Sequence, residues 1–228
     1  MNQNIYKKIG NEEVAVMLLE RMKREIEKTK ERIIFRPVDR KVLGGRLDEL
    51  VSVDAGNGFA LIFAVDFGDC YMYISHEIAE ELGCTEEDLL QLSMVNTPRM
   101  HPAIFQDMAT LMLKKMVDNT EAPLLDELNE VEREMAPYVL SCKGARNGAS
   151  CIFYPGAAKK IAELLDSEYY VLPCSRHEVI IEPCNASVQV DEIKKMVKEI
   201  NRTCISSDDL LSDTVLRYDR KLDALVKA

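Results

Sequence analysis

The most reactive stretch of this sequence is Leu172-Pro173-Cys174-Ser175-Arg176-His177-Glu178, where a thiol and an imidazole lie three positions apart. A cysteine becomes a nucleophile when a base within hydrogen-bond reach takes its proton and a third group orients that base. Cys174 is the candidate nucleophile, His177 the candidate base, and Glu178 or Asp191 the candidate orienting carboxylate. The same residues also read as a plain turn in which His177 bonds to backbone and fixes the connection between two strands. Thiol–imidazole pairs are normally assembled from distant positions, so the spacing favours the turn.

Cys174, His177 and Cys184, joined by Cys142 or Cys151, have the ligand softness that zinc takes. Zinc sites usually carry paired short spacings, and no Cys-x-x-Cys occurs here, so no metal is expected. His76 and His101 read as surface or cap residues. Gly-x-Gly-x-x-Gly and Gly-Lys-Ser/Thr loops are both missing from the sequence, which leaves nucleotide binding without support, and no cofactor is expected. Met94, Met100, Met108, Met112 and Met116 suit either an adaptable binding groove or core filling, with core filling favoured. The carboxylates of Glu77 to Glu87 and Glu127 to Glu134 read as solvated helix faces.

The elements that must position these residues follow from periodicity. Val14, Met17, Leu18, Met22 and Ile26 recur at helical spacing, predicting an amphipathic helix ending near Lys30. Strands are predicted at Ile33–Arg36, Leu50–Val53, Phe59–Val65 and Tyr71–Ile74, with Asn57-Gly58 supplying a tight hairpin turn. Ser75 caps a short helix that Gly83 stops, and Thr85 caps another that Pro98 ends. Two more helices are expected, from Pro102 to about Val117 and from Pro123 to about Met135, each with proline in the first turn. Tyr138–Cys142 and Ser150–Tyr154 then read as a second hairpin, followed by a helix carrying Ile161, Leu164 and Leu165 inward. Strands at Tyr169–Leu172 and Glu178–Ile181 precede a helix capped by Asp191, and the tail from Ser206 reads as helical or mixed.

Without regular strand–helix alternation, this order predicts an α+β fold of two antiparallel-sheet units, each followed by helices. The units are placed at residues 1–120 and 137–228, with a boundary near Asn119 to Pro137 and the option of packing as one domain. Length and a 47% hydrophobic composition allow an ordinary core without staples. A formal net charge of -10 disfavours nucleic acid as a partner. The polar amino terminus and the lack of any apolar run of membrane length predict a cytoplasmic protein with no membrane partner. Seven scattered cysteines suit reduced thiols.

From Ile33 onward the chain resembles a clostridial bacterial domain-of-unknown-function family, serial fifty-six eighty-eight. The resemblance is carried by Arg32-Ile33-Ile34-Phe35-Arg36-Pro37-Val38, Ile74-Ser75 through Gly83, Asn96-Thr97-Pro98-Arg99 and Tyr154-Pro155-Gly156. It continues through Val171-Leu172-Pro173, His177-Glu178-Val179-Ile180, Leu211-Ser212-Asp213 and Arg217-Tyr218-Asp219-Arg220. The resemblance implies a longer amino-terminal section than this chain has and a serine at the position of Cys174, and it implies no reaction, cofactor or ligand. It also implies an association with mobile-element cargo. The candidate binding residues are Asn96, Arg99, Tyr154, His177 and Arg217.

The functional expectation is a non-enzymatic protein-binding or regulatory accessory module whose partner is another protein. The alternatives are a hydrolase or transferase using Cys174 and His177, and an acidic DNA mimic that inhibits a host nuclease.

Overall fold

A computed structural model describes residues 12–116, 122–132, 136–144, 146–185 and 189–228. The chain divides into two compact units, Met1–Met100 and His101–Ala228. The fold is α+β, with one antiparallel sheet in each unit.

In the first unit, helices α1 (Glu12–Arg24) and α2 (Ile26–Lys30) lead into strand β1 (Ile33–Asp39). Of the predicted apolar stripe, Leu18 and Met22 are buried, while Val14 and Met17 stay exposed. Helix α3 (Arg40–Leu43) and a 3-10 turn (Gly44–Glu49) precede strands β2 (Ser52–Gly56), β3 (Phe59–Asp66) and β4 (Tyr71–Tyr73). All eight residues of β3 are buried because it is the central strand. β1 covers one of its edges from Phe59 to Val65, so β2 and β4 share the other, paired with its first and second halves. Asn57 (φ 57) and Gly58 (φ 93) form the expected two-residue turn, whose central positions both need positive φ.

Helices α4 (His76–Leu82) and α5 (Glu86–Met100) end as local chemistry predicts at three of four termini. The Ser75 hydroxyl accepts from the Ile78 N–H, Gly83 closes α4 in the left-handed region, and Thr85 and Asp88 cap each other's backbone N–H. The fourth terminus differs. Pro98 does not end α5, which continues to Met100. Proline withholds only the donor to the Met94 carbonyl, and so close to a terminus that loss is small.

The second unit begins with a strand where a helix is expected. Residues 102–117 are predicted as one helix, yet Ala103–Asp107 is strand β5, and helix α6 starts only at Met108 (Met108–Met116). Phe105 is fully buried and stacks on Tyr138 with ring centroids 5.1 Å apart, and the Asp107 carboxylate accepts from the Thr110 N–H, so the helix start is at Asp107 and not at Pro102. The helix predicted from Pro123 reduces to a single 3-10 turn, Leu125–Glu127; its expected end at Met135 lies outside the described residues, as does Val117.

Strand β6 (Tyr138–Cys142) forms, but its predicted hairpin partner does not: Gly148–Phe153 is a 3-10 helix. Both edges of β6 are already occupied, by β5 and by strand β8 (Val179–Pro183). Helix α7 (Ala157–Leu165) and strand β7 (Tyr169–Leu172) match expectation, as does helix α8 (Val190–Thr203), although its cap position is Gln189 and Asp191 lies in the first turn. The tail is a hairpin, β9 (Leu216–Asp219) and β10 (Ala224–Lys227), turned by Asp219 accepting from the N–H groups of Lys221 and Leu222. The six strands run β10-β9-β7-β8-β6-β5, every neighbouring pair antiparallel. No helix among the described residues is long and apolar enough to cross a membrane.

Candidate functional site

Asn96-Thr97-Pro98-Arg99, in the first unit, turns its polar atoms onto the entry to β1. The outer edge of β1 explains why. Residues 32, 34, 36 and 38 hydrogen-bond toward β3 in the antiparallel ladder, so 33, 35, 37 and 39 direct their backbone groups away from it. Pro37 fits this edge because it has no N–H to leave unpaired. The Phe35 N–H donates to the Thr97 hydroxyl at 3.0 Å, and that hydroxyl donates to the Ser93 carbonyl at 2.6 Å. The Asn96 amide donates to the carbonyls of Lys30 (2.8 Å) and Ile33 (3.1 Å). Arg99 donates to the Glu31 carbonyl (2.6 Å) and to the Asn96 side-chain oxygen (3.2 Å). Two of the sequence motifs therefore meet, and what they build is a clamp between α5 and β1.

Beside the clamp lies an open cleft of about 460 Å³, lined by Lys30, Cys84, Asp88, Leu92, Val95 and Asn96 among others. Val95 is 65% exposed in its wall. Burial raises the Cys84 thiol, and the Thr85 hydroxyl and N–H hold the Asp88 carboxyl below its usual range.

In the second unit, residues 173–176 run alongside 209–212. The N–H groups of Arg176, Leu211 and Ser212 donate to the carbonyls of Asp209, Cys174 and Pro173. This ribbon carries His177 onto Asp209. The ring Nδ1 accepts from the Asn147 N–H at 3.3 Å, which leaves the proton on Nε2, 3.0 Å from the Asp209 carboxylate. Arg176 Nε also approaches Nε2 at 3.4 Å, but a protonated Nε2 cannot accept, and the shorter contact to Asp209 fits the donor geometry. The Arg176 guanidinium reaches the same carboxylate oxygen at 2.7 Å, and Ser206 donates to the other at 2.9 Å. The Ser206 hydroxyl first, then His177 and Arg176, hold the Asp209 carboxyl below its ordinary range.

His177 thus spends both ring nitrogens on neighbouring segments of the chain, Asn147 on one side and Asp209 on the other. Cys174 is buried in a separate environment, an apolar cluster with Leu172, Ile193, Val197 and Val215. Burial pushes its thiol up to about 11, with Asp213 adding to the rise, which is the opposite of what activates a nucleophile. Glu178 is exposed. Tyr154 is buried and donates to the His101 carbonyl at 2.9 Å, while Arg217 pairs with Glu168 and Asp219 on the surface of β9. Among the described residues, no group of three or more His, Cys, Asp or Glu side chains is arranged to hold a metal.

Sequence reasoning missed Asp209 and Ser206, the residues that organise His177. The serine–x–x–aspartate spacing at the start of the tail was the available signal, since it marks a local side-chain-to-backbone cap.

Two antiparallel sheets, one per unit, with helices on the connections define an α+β protein whose conspicuous polar motifs bond to its own backbone. The chain belongs to a Family of unknown function (DUF5688), whose sequence model matches residues 2–220. No curated protein and no solved structure matches it.

Proposed function

We propose that this chain is a non-enzymatic protein-binding module with an accessory or regulatory role, and that the cleft beside α5 is where it takes its partner. The observation that carries this reading is the exposed Val95 in the wall of that cleft, beside partly buried Leu92 and ringed by Lys30, Asp88 and Gln91. An apolar centre with a polar rim is the composition of a protein-recognition patch. The neighbouring polar motif supports the reading from the other side, because Asn96, Thr97 and Arg99 are engaged with backbone and hold the cleft's wall rigid. An acidic DNA mimic has less support. Carboxylates of the first unit are interleaved with cations, as in the pairs Lys23–Glu81, Lys30–Glu27 and Arg40–Asp54.

The test is Val95→Glu in the full chain, with folding checked by circular dichroism. Both proteins are used for cross-linked affinity capture from extract of the native host, quantified by mass spectrometry. Placing a carboxylate in an apolar contact should lower recovery of a specific partner at least tenfold, about 1.4 kcal/mol. A partner list that Val95→Glu leaves unchanged sinks the assignment of the cleft.

A further inference from the structure

The His177 ring ties together segments that are distant in the chain, and one of its two bonds exists only while the ring is neutral. The Asn147 N–H donates to Nδ1 at 3.3 Å, and Nε2–H faces the Asp209 carboxylate at 3.0 Å. A neutral imidazole has one acceptor and one donor, and each is used once here. An imidazolium has two donors and no acceptor. A proton on Nδ1 points at the Asn147 N–H and sets donor against donor, whereas the bond to Asp209 survives and becomes charge-assisted.

The other bonds across this junction involve no imidazole. The Ala149 N–H donates to the Arg176 carbonyl at 3.2 Å, and the Ser141 hydroxyl donates to the His177 carbonyl at 2.8 Å. The His177 N–H donates to the Ser175 hydroxyl at 3.0 Å. Residues 175–177 therefore stay seated on β6 and the 3-10 helix in either state of the ring. Asn147 is placed differently. It sits at φ 59 and ψ 29 just before the 3-10 helix, a left-handed conformation that a residue with a side chain enters at a cost. Losing the ring as acceptor removes one of the contacts that hold it there.

Two charged groups meet the ring directly. Arg176, from the same turn, approaches Nε2 at 3.4 Å and shares the Asp209 oxygen at 2.7 Å; Asp209 comes from the segment that runs alongside. Glu178 and Asp208 are their exposed neighbours in the chain. The loop that carries Asn147 brings the exposed cations Lys143 and Arg146, and β6 brings Cys142, whose Sγ donates to the Arg146 carbonyl at 3.2 Å. The His177 side chain is 28% exposed, so a proton from solvent can reach it. Imidazole is also the side chain whose ordinary change of charge falls between about pH 5 and 8.

We propose that His177 is an acid-sensitive latch. Neutral, it holds Asn147 against the turn at 175–177. Protonated on Nδ1 by solvent, it releases Asn147 and keeps Asp209. The latch lies in the second unit and rests on nothing claimed for the cleft beside α5.

The experiment is a nuclear magnetic resonance titration of the nitrogen-15-labelled full chain from about pH 8 to about pH 5, following the ring nitrogens of the three histidines and the Asn147 amide. The expected ring at high pH carries its proton on Nε2 and none on Nδ1. As pH falls, Nδ1 gains a proton and the Asn147 amide proton moves upfield with the same midpoint. Its protection from hydrogen exchange, with the intrinsic pH dependence divided out, should drop roughly fivefold to tenfold, the worth of one ordinary hydrogen bond. The Ala149 amide should keep its protection. In His177→Gln the side-chain amide supplies both an acceptor and a donor that do not titrate, so Asn147 should stay constant while His76 and His101 titrate as before. The proposal is overturned if Nδ1 carries the proton at high pH, if the ring gains no proton by about pH 5, or if it does so while Asn147 stays still. An equal response of Asn147 in His177→Gln overturns it too. The wild-type midpoints decide the matter even if the variant fails to fold.

Discussion

Replacing Thr97 with valine removes one hydroxyl and keeps the branched shape, so it isolates the bond that seals the edge of β1. That hydroxyl is the acceptor for the Phe35 N–H at 3.0 Å. Phe35 is fully buried, and its N–H faces away from β3, so neither water nor the ladder can replace the lost acceptor. An orphaned buried donor costs about 1–3 kcal/mol. The Ser93 carbonyl, which the hydroxyl also meets, keeps its helical donor and adds little. The new methyl returns at most about 0.8 kcal/mol. The net expectation is a loss of about 1–2 kcal/mol, which lowers a urea midpoint by about 1 M for a domain of this size. Urea unfolding followed by far-ultraviolet circular dichroism measures the loss, and hydrogen exchange locates it. Phe35 should lose protection while Ile34 and Arg36, bonded toward β3, keep theirs. Thr97→Ser retains the acceptor and should leave Phe35 protected, although it gives up a buried methyl. The clamp is refuted if Thr97→Val stays within about 0.5 kcal/mol of wild type, the usual scatter for an inconsequential change, or if Phe35 exchange is unaltered.

Gly148→Ala forces a Cβ to within 2.6 Å of two backbone atoms that cannot swing aside, and should cost about 3 kcal/mol or more. Calorimetry checks it: a melting temperature equal to wild type removes the close approach of the 3-10 helix to β6. Asp209→Asn tests the His177 network through pH. Because the native Asp209 carboxyl is held below its ordinary range, its contribution is complete above about pH 4–5 and fades as pH falls through the lowered value. The gap in urea midpoint between wild type and variant should therefore be present at pH 7 and shrink progressively as pH falls below about 4. It should be small, since the Asp209 side chain is 36% exposed. A gap independent of pH contradicts the assignment.

Which parts of this molecule were legible in the sequence follows from how far each signal reaches. Asn57-Gly58, Ser75 with Ile78, and Thr85 with Asp88 settle their geometry within four residues, and each was readable. The strand at Ala103–Asp107 was not, because its identity comes from pairing with β6 some 35 positions later, and proline in the first turn argued locally for a helix. Ser150–Tyr154 has good strand composition, but β8 takes the edge it would need, and that competition is invisible to any local pattern. The sites divide the same way. Asn96 was singled out by type, while its acceptors lie 63 and 66 residues away; His177 was singled out too, but Asp209, which organises it, lies 32 residues on. Conspicuous polar residues at turns and helix ends are the ones a fold uses to satisfy backbone groups that neither ladder nor helix can reach. Their polar atoms are consequently occupied. Gly148 shows the same limit: no local pattern reveals that a Cβ there would strike the His177 carbonyl oxygen and the Cys142 nitrogen, because the strand and the turn that crowd it come from elsewhere in the chain.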